Sequence, residues 1–259
     1  MRSLITAAVL CVVSTTSFAQ TPESRPATTG SVRITVSWKG EAPTSRPAAI
    51  PKEWKSRNPD DAKVCDSCAD SGILVDESLI VDAATKGIRN VVVAVTPAKD
   101  GPADTGAPIS EKPVMANKGC RFEPHVVLAT PSSPLTITNE DPFTHAASIA
   151  ALGGASLTSE VVQPNGKTEV GKLAARGIYV VSCPLHGWMR GYVVVLKQGP
   201  AGITDTRGTT LLEGVAPGPR TLTLWHETLG AKRVEAVVKA GAITEVTITQ
   251  DDFPGKLAK

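Results

Sequence analysis

The chain has 259 residues, with 27 Lys and Arg against 25 Asp and Glu and a formal net charge of +2. So even a balance provides no basic field for nucleic acid or for an acidic membrane surface. With 22 Gly and 20 Pro, and apolar stretches dominated by Val and Thr, the composition points to strands and turns rather than helices, in one large or two small domains.

The first residues read as an export signal. Arg2 precedes an apolar run from Leu4 to Val13, and Ser17-Phe18-Ala19 offers a small-x-small cleavage site before Gln20. The run is too short to span a bilayer, and no later segment is apolar enough to do so. The expectation is a signal peptide over residues 1–19, a linker over 20–29, and a periplasmic or secreted protein with no transmembrane span. Val32, Ile34, Val36 and Trp38 then alternate with Arg33, Thr35 and Ser37, the period of a half-buried strand. Residues 40–63 are rich in Pro and charge and read as irregular. Ile73–Val81 and Asn90–Thr96 read as strands, and the unbroken Val91–Val95 run suits a central one. Residues 97–113 form a boundary loop of Pro, Gly, Ala and Asp. Short strands are expected at Val126–Ala129, Leu135–Thr138, Thr168–Leu173, Ile178–Ser182 and Tyr192–Leu196. After a second boundary at 198–202 come strands at Thr209–Leu212, Arg220–Trp225, Val234–Val238 and Ile243–Thr249, and residues 251–259 read as a tail. No internal repeat and no amphipathic helix stands out. Regular short strands separated by Gly and Pro predict an all-β, β-sandwich fold.

Chemistry concentrates in Cys183-Pro-Leu-His186-Gly-Trp-Met189, which offers a thiolate, an imidazole and a thioether between strand-like segments. Soft sulfur ligands hold Cu(I) and imidazole serves both oxidation states, so the set suits one copper ion cycling between Cu(I) and Cu(II). A trigonal copper site needs a second imidazole, which His145 in Asn139-Glu-Asp-Pro-Phe-Thr-His145 can supply. The expected metal ligands are therefore His145, Cys183, His186 and Met189, with Phe143, Leu185 and Trp188 excluding water and forming an apolar patch for electron transfer beside a surface-reaching His186. A zinc site from Cys65, Cys68, Cys183 and His186 has acceptable spacing but leaves His145 and Met189 without a role.

These segments resemble the cupredoxins, the plastocyanin and amicyanin group. The resemblance rests on Phe122-Glu-Pro124, on Leu135–His145, and on Gly177–Met189 followed by Gly191-Tyr-Val-Val-Val, and covers about residues 112–197. It implies a Greek-key β-sandwich over 108–198 holding type 1 copper. One departure is that Ala146 and Ala147 follow the first histidine, where cupredoxins usually carry an Asn that ties the ligand loops together. Ile203-Thr-Asp-Thr-Arg-Gly208 with Leu212-Glu-Gly-Val-Ala-Pro-Gly218 is similar to the second half of a carboxypeptidase-regulatory-like (transthyretin-like) domain, and segments 30–40 and 87–95 resemble its first half. The expected organisation is a discontinuous sandwich of residues 30–100 and 199–250 with the cupredoxin inserted between them, an arrangement resembling exported bacterial proteins labelled methylamine-utilisation or plastocyanin-like.

Of the five cysteines, Cys11 leaves with the signal, and export permits a disulfide. The reading taken is Cys65–Cys120, with Cys68–Cys120 close behind and Cys65–Cys68 third. His125 and His226 read as structural. Ser156, Thr158 and Ser159 lie in a Gly/Ser-rich loop with no acid or base at usable spacing, and no phosphate loop occurs, so no enzyme activity is expected. The sequence thus predicts an exported single-electron carrier that docks transiently on a redox protein. The second sandwich leaves room for an alternative, a copper-binding or structural module attached to an envelope, carbohydrate or protein partner.

Overall fold

The computed structural model describes residues 28–96 and 103–255. The expected signal peptide and most of the linker lie outside these residues. In chain order the first half carries β1 (Gly30–Ser37), helices α1 (Lys52–Arg57) and α2 (Pro59–Asp70), β2 (Val92–Thr96), β3 (Val114–Asn117), β4 (Phe122–Glu123), β5 (Val126–Ala129) and β6 (Pro134–Asn139). The second half carries β7 (His145–Ala151), β8 (Ser156–Val162), β9 (Lys167–Lys172), β10 (Gly177–Cys183), β11 (His186–Val195), β12 (Ala201–Ile203), β13 (Thr209–Val215), β14 (Gly218–His226), β15 (Gly230–Val238) and β16 (Ile243–Thr249). The protein is predominantly β. None of the described helices is long and apolar enough to cross a membrane.

The strands build two sandwiches. In one, the sheet β13-β1-β16 faces the sheet β12-β2-β14-β15 across a core that includes Val32, Ile34, Val36, Val93, Leu222 and Leu224. β1 pairs antiparallel with β13 and parallel with β16, and β2 pairs with β12 and β14, so strands from both ends of the chain share each sheet. In the other, β4-β3-β6-β9 faces β5-β11-β10-β7-β8 across a core that includes Met115, Phe122, Leu135, Ile137, Val181 and Val193. Val92 and Trp225 of the first sandwich pack on Val126, Tyr192 and Val194 of the second. This contact explains the unbroken apolar runs at 91–95 and 192–195. Val93 and Val193 point into their own cores while Val92, Tyr192 and Val194 point into the seam between sandwiches, so both faces of each strand are buried.

Three stretches differ from the sequence reading. The segment expected to be irregular, residues 40–63, holds α1 and the first turn of α2. α2 opens with Pro59 in its first turn followed by Asp60 and Asp61, where anionic side chains meet the positive end of the helix dipole. Its buried face is narrow, Ala62 and Cys65, which is why no amphipathic period is visible. Ile73–Val81 is not a strand; it contributes only isolated bridges, Pro47 to Val75 and Val81 to Ile88. Ser156, Thr158 and Ser159 lie on β8 rather than in a loop, paired with β7 at the sheet edge with most side chains exposed.

Candidate metal centre

Two local features bring the cluster together. The β10–β11 connection is the turn Pro184-Leu185, so Cys183 and His186 face one another as direct cross-strand partners. β7 is the other neighbour of β10, pairing Ser148 with Ser182, and this places the first residue of β7, His145, beside Cys183. His145, Cys183 and His186 are at most 1 % exposed. Their ligating atoms all lie within 4.8 Å of one another, and among the described residues they are the cluster of His, Cys, Asp or Glu able to hold a metal. The Cys183 Sγ lies 3.3 Å from His186 Nδ1 and 3.9 Å from His145 Nδ1. A metal held by thiolate and imidazole at about 2.0–2.3 Å in a trigonal arrangement sets its ligand atoms about 3.5–4 Å apart, so the cluster fits a single ion with little rearrangement. Met189, on β11, is 2 % exposed and belongs to the same core as Cys183.

The surrounding groups fix the direction of each ligand. The His145 Nε2 is 2.9 Å from Asp141 Oδ2, which sets an N–H at Nε2 and turns Nδ1 toward the Cys183 sulfur. Asp141 is itself held by the backbone N–H groups of Gly119 and Cys120, at 2.6 and 3.0 Å. The Asn139 side chain donates to the carbonyls of Phe143 and Val162 and accepts from the Asp141 N–H. The Ala146 N–H donates to Cys183 Sγ at 3.3 Å. Burial pushes the Cys183 thiol up, but hydrogen bonds from His145, His186 and the Ala146 amide outweigh it, and the pKa falls to about 6. The site is thus preset for a thiolate near neutral pH. For His145, burial opposes protonation, yet Asp141 and the thiolate carry its pKa upward. For Asp141, burial opposes ionisation, while His145 and the two amides hold its carboxyl below the usual range.

The expected apolar patch divides. Leu185 is 46 % exposed, but Phe143 is buried against both imidazoles, with ring centroids 5.0 Å from His145 and 5.4 Å from His186. Trp188 is half-buried, its indole N–H donating to the Cys120 carbonyl. His186 does not reach the surface, contrary to the sequence reading. Trp54 of α1 covers it, edge to face at 5.1 Å, and also packs on Trp188. Sequence reasoning missed Trp54, Asn139 and Asp141. Asn139 at the end of β6 and Asp141 just after it stood in plain view but looked like turn residues, and Trp54 was a lone aromatic in a polar segment.

Cys65 is joined to Cys120, and Cys68 is a free, half-buried thiol. The disulfide takes Cys65 out of the zinc set considered from spacing. His125 and His226 lie away from the cluster. His125 is buried between Glu77 and Glu227, and His226 accepts the Thr228 N–H at Nδ1, with burial lowering its pKa to about 4.

No family model and no curated protein sequence matches the chain. Solved structures similar to it include an amicyanin, a purple cupredoxin and a nitrite reductase. An amicyanin from Paracoccus versutus is 15 % identical, with 40 % of this chain and 98 % of that chain covered at a TM-score of 0.30. A purple cupredoxin from Nitrosopumilus maritimus is 19 % identical, with 32 % of this chain and 99 % of that one covered at 0.29. A copper-containing nitrite reductase from Thermus scotoductus is 20 % identical over 39 % of this chain at 0.29, and only 25 % of the reductase chain is spanned.

Proposed function

We propose that this protein is a type 1 copper protein of the cupredoxin kind that carries single electrons. His145, Cys183, His186 and Met189 would hold one copper ion, two imidazoles and a thiolate with a thioether as the weakest ligand. The observation that supports this best is the buried thiol with two imidazole Nδ1 atoms turned toward it, each held by its own strand. Bound copper would supply a one-electron couple. The chain's own part is to keep Cys183 ionised, to orient His145 through Asp141, and to exclude water with Phe143 and Trp188, so that little moves when the charge changes. Four ligands from the chain would leave no coordination position open for a substrate, which favours a carrier over an enzyme. We further read residues 30–100 and 199–250 as one discontinuous, transthyretin-like domain carrying the copper sandwich, exported and docking transiently on a redox protein.

The test is to add Cu(II) to the purified protein without residues 1–19. An intense thiolate-to-copper visible band is expected, reversibly bleached by reduction without loss of metal. A missing band, or one that survives Cys183→Ser, would refute the site.

A further inference from the structure

Resting on that reading of the site, we propose that Trp54 is a specificity-determining residue: with the helix pair that carries it, it closes the His186 edge against flat protein surfaces. A partner must then engage α1 itself, and exchange between two copies of the chain is suppressed.

Several independent contacts make Trp54 a fixed cover. Its indole N–H donates to the Leu185 carbonyl at 2.8 Å, in the turn between Cys183 and His186. The ring meets His186 at 5.1 Å and Trp188 at 4.7 Å, both edge to face, and stays half-buried itself. Its carbonyl accepts from both the backbone and the side chain of Asn58, which holds the end of α1. Lys55 pairs with Asp66, tying α1 to α2, and Cys65–Cys120 ties α2 to the sandwich. The result is a histidine that is 1 % exposed although it directly follows the turn at the end of the sheet. What remains open beside it is a groove of about 710 Å³, lined by Trp54, Arg57, Phe143 and Leu185 and reaching His186. A small complex can enter such a groove, whereas a second copy of the protein cannot bring its own buried histidine close.

The experiment compares the wild type with Trp54→Ala and Trp54→Phe in two forms. In copper-loaded protein, self-exchange between reduced and oxidised copies is measured by NMR line broadening, alongside reduction by a small inorganic complex. Trp54→Ala should raise self-exchange by about one to three decades, the span over which association rates vary within one interface, while the small-complex rate changes far less. Trp54→Phe should stay close to wild type. In metal-free protein, diethyl pyrocarbonate should modify His186 slowly in the wild type and rapidly in Trp54→Ala. Self-exchange that is unchanged or slower, or a His186 equally reactive in both proteins, would overturn the proposal. Should Trp54→Ala not fold, Trp54→Leu gives the same comparisons with a smaller void. The metal-free measurement reads the cover alone, so a failure of copper to bind would sink the copper reading without obscuring this one.

Discussion

His125 should make the stability of this protein fall as pH rises above neutrality. Its ring is 4 % exposed in the seam between the sandwiches, with Nε2 hydrogen-bonded to Glu227 and Nδ1 3.6 Å from Glu77. Tyr192 donates to the other Glu227 oxygen, and Arg121 pairs with Glu77 and Glu123, so the charged groups around the ring come from both sandwiches and from the segment before β2. Burial alone would favour neutral imidazole. The two carboxylates outweigh it and raise the pKa from 6.5 to about 9. A group whose pKa is higher folded than unfolded contributes fully below the unfolded value and loses its contribution as pH climbs through the folded one. That places the loss between pH 6.5 and about 9. At 1.36 kcal/mol per unit, the contribution is about 3 kcal/mol.

The assay is urea unfolding of the wild type and His125→Gln from about pH 6 to about pH 9.5, taken as the difference between the two so that other titrating groups cancel. At neutral pH the variant should be less stable by about 3–5 kcal/mol, because both carboxylates lose the imidazolium between them and only Glu77 keeps a cation, Arg121. The gap should shrink as pH rises. A difference that stays flat across the window would refute the protonated, doubly paired histidine.

Two further outcomes follow from the centre and its cover. Asp141→Ala removes the acceptor that fixes the His145 tautomer, and copper affinity, measured by competition with a chelator, should drop about 10–100-fold while the visible band persists at saturation. Replacing both Cys65 and Cys120 by Ser opens a loop spanning a sequence separation of 55, and chemical denaturation should show a loss of about 4 kcal/mol on the chain-entropy account.

The parts of the fold that were legible are those where one periodicity has one cause. β1 alternates because its side chains lie alternately in the core and near solvent, and the runs at 91–95 and 192–195 are unbroken because a second sandwich buries the other face. β8 was hidden because an edge strand with most of its side chains exposed has the composition of a loop. Ile73–Val81 has the composition of a strand but finds only isolated bridges, since pairing needs a free neighbour and composition does not report one. The helices were hidden for the opposite reason. α1 buries no residue fully and α2 buries two, so what holds them is the Cys65–Cys120 disulfide, the Lys55–Asp66 pair, and a small apolar cluster in which Trp54, Val64 and Ala69 pack with Leu74, Phe143 and Trp188, none of which a helical period reports.

The same distinction explains how the centre manages with Ala146 and Ala147 after its first histidine. A side chain at that position would tie the ligand loops from one side. Here the ties start earlier in the chain, where Asn139 holds the backbone at Phe143 and Val162 and positions Asp141. Asp141 then grips His145 with one oxygen it shares with the Cys120 amide, while its other oxygen takes the Gly119 amide. Cys120 is in turn bonded to α2, next to the helix that bears Trp54. Support for His145 and cover for His186 therefore meet at one residue outside the Cys183–Met189 segment. The cap is thus part of the centre's mechanical frame as well as a lid on it.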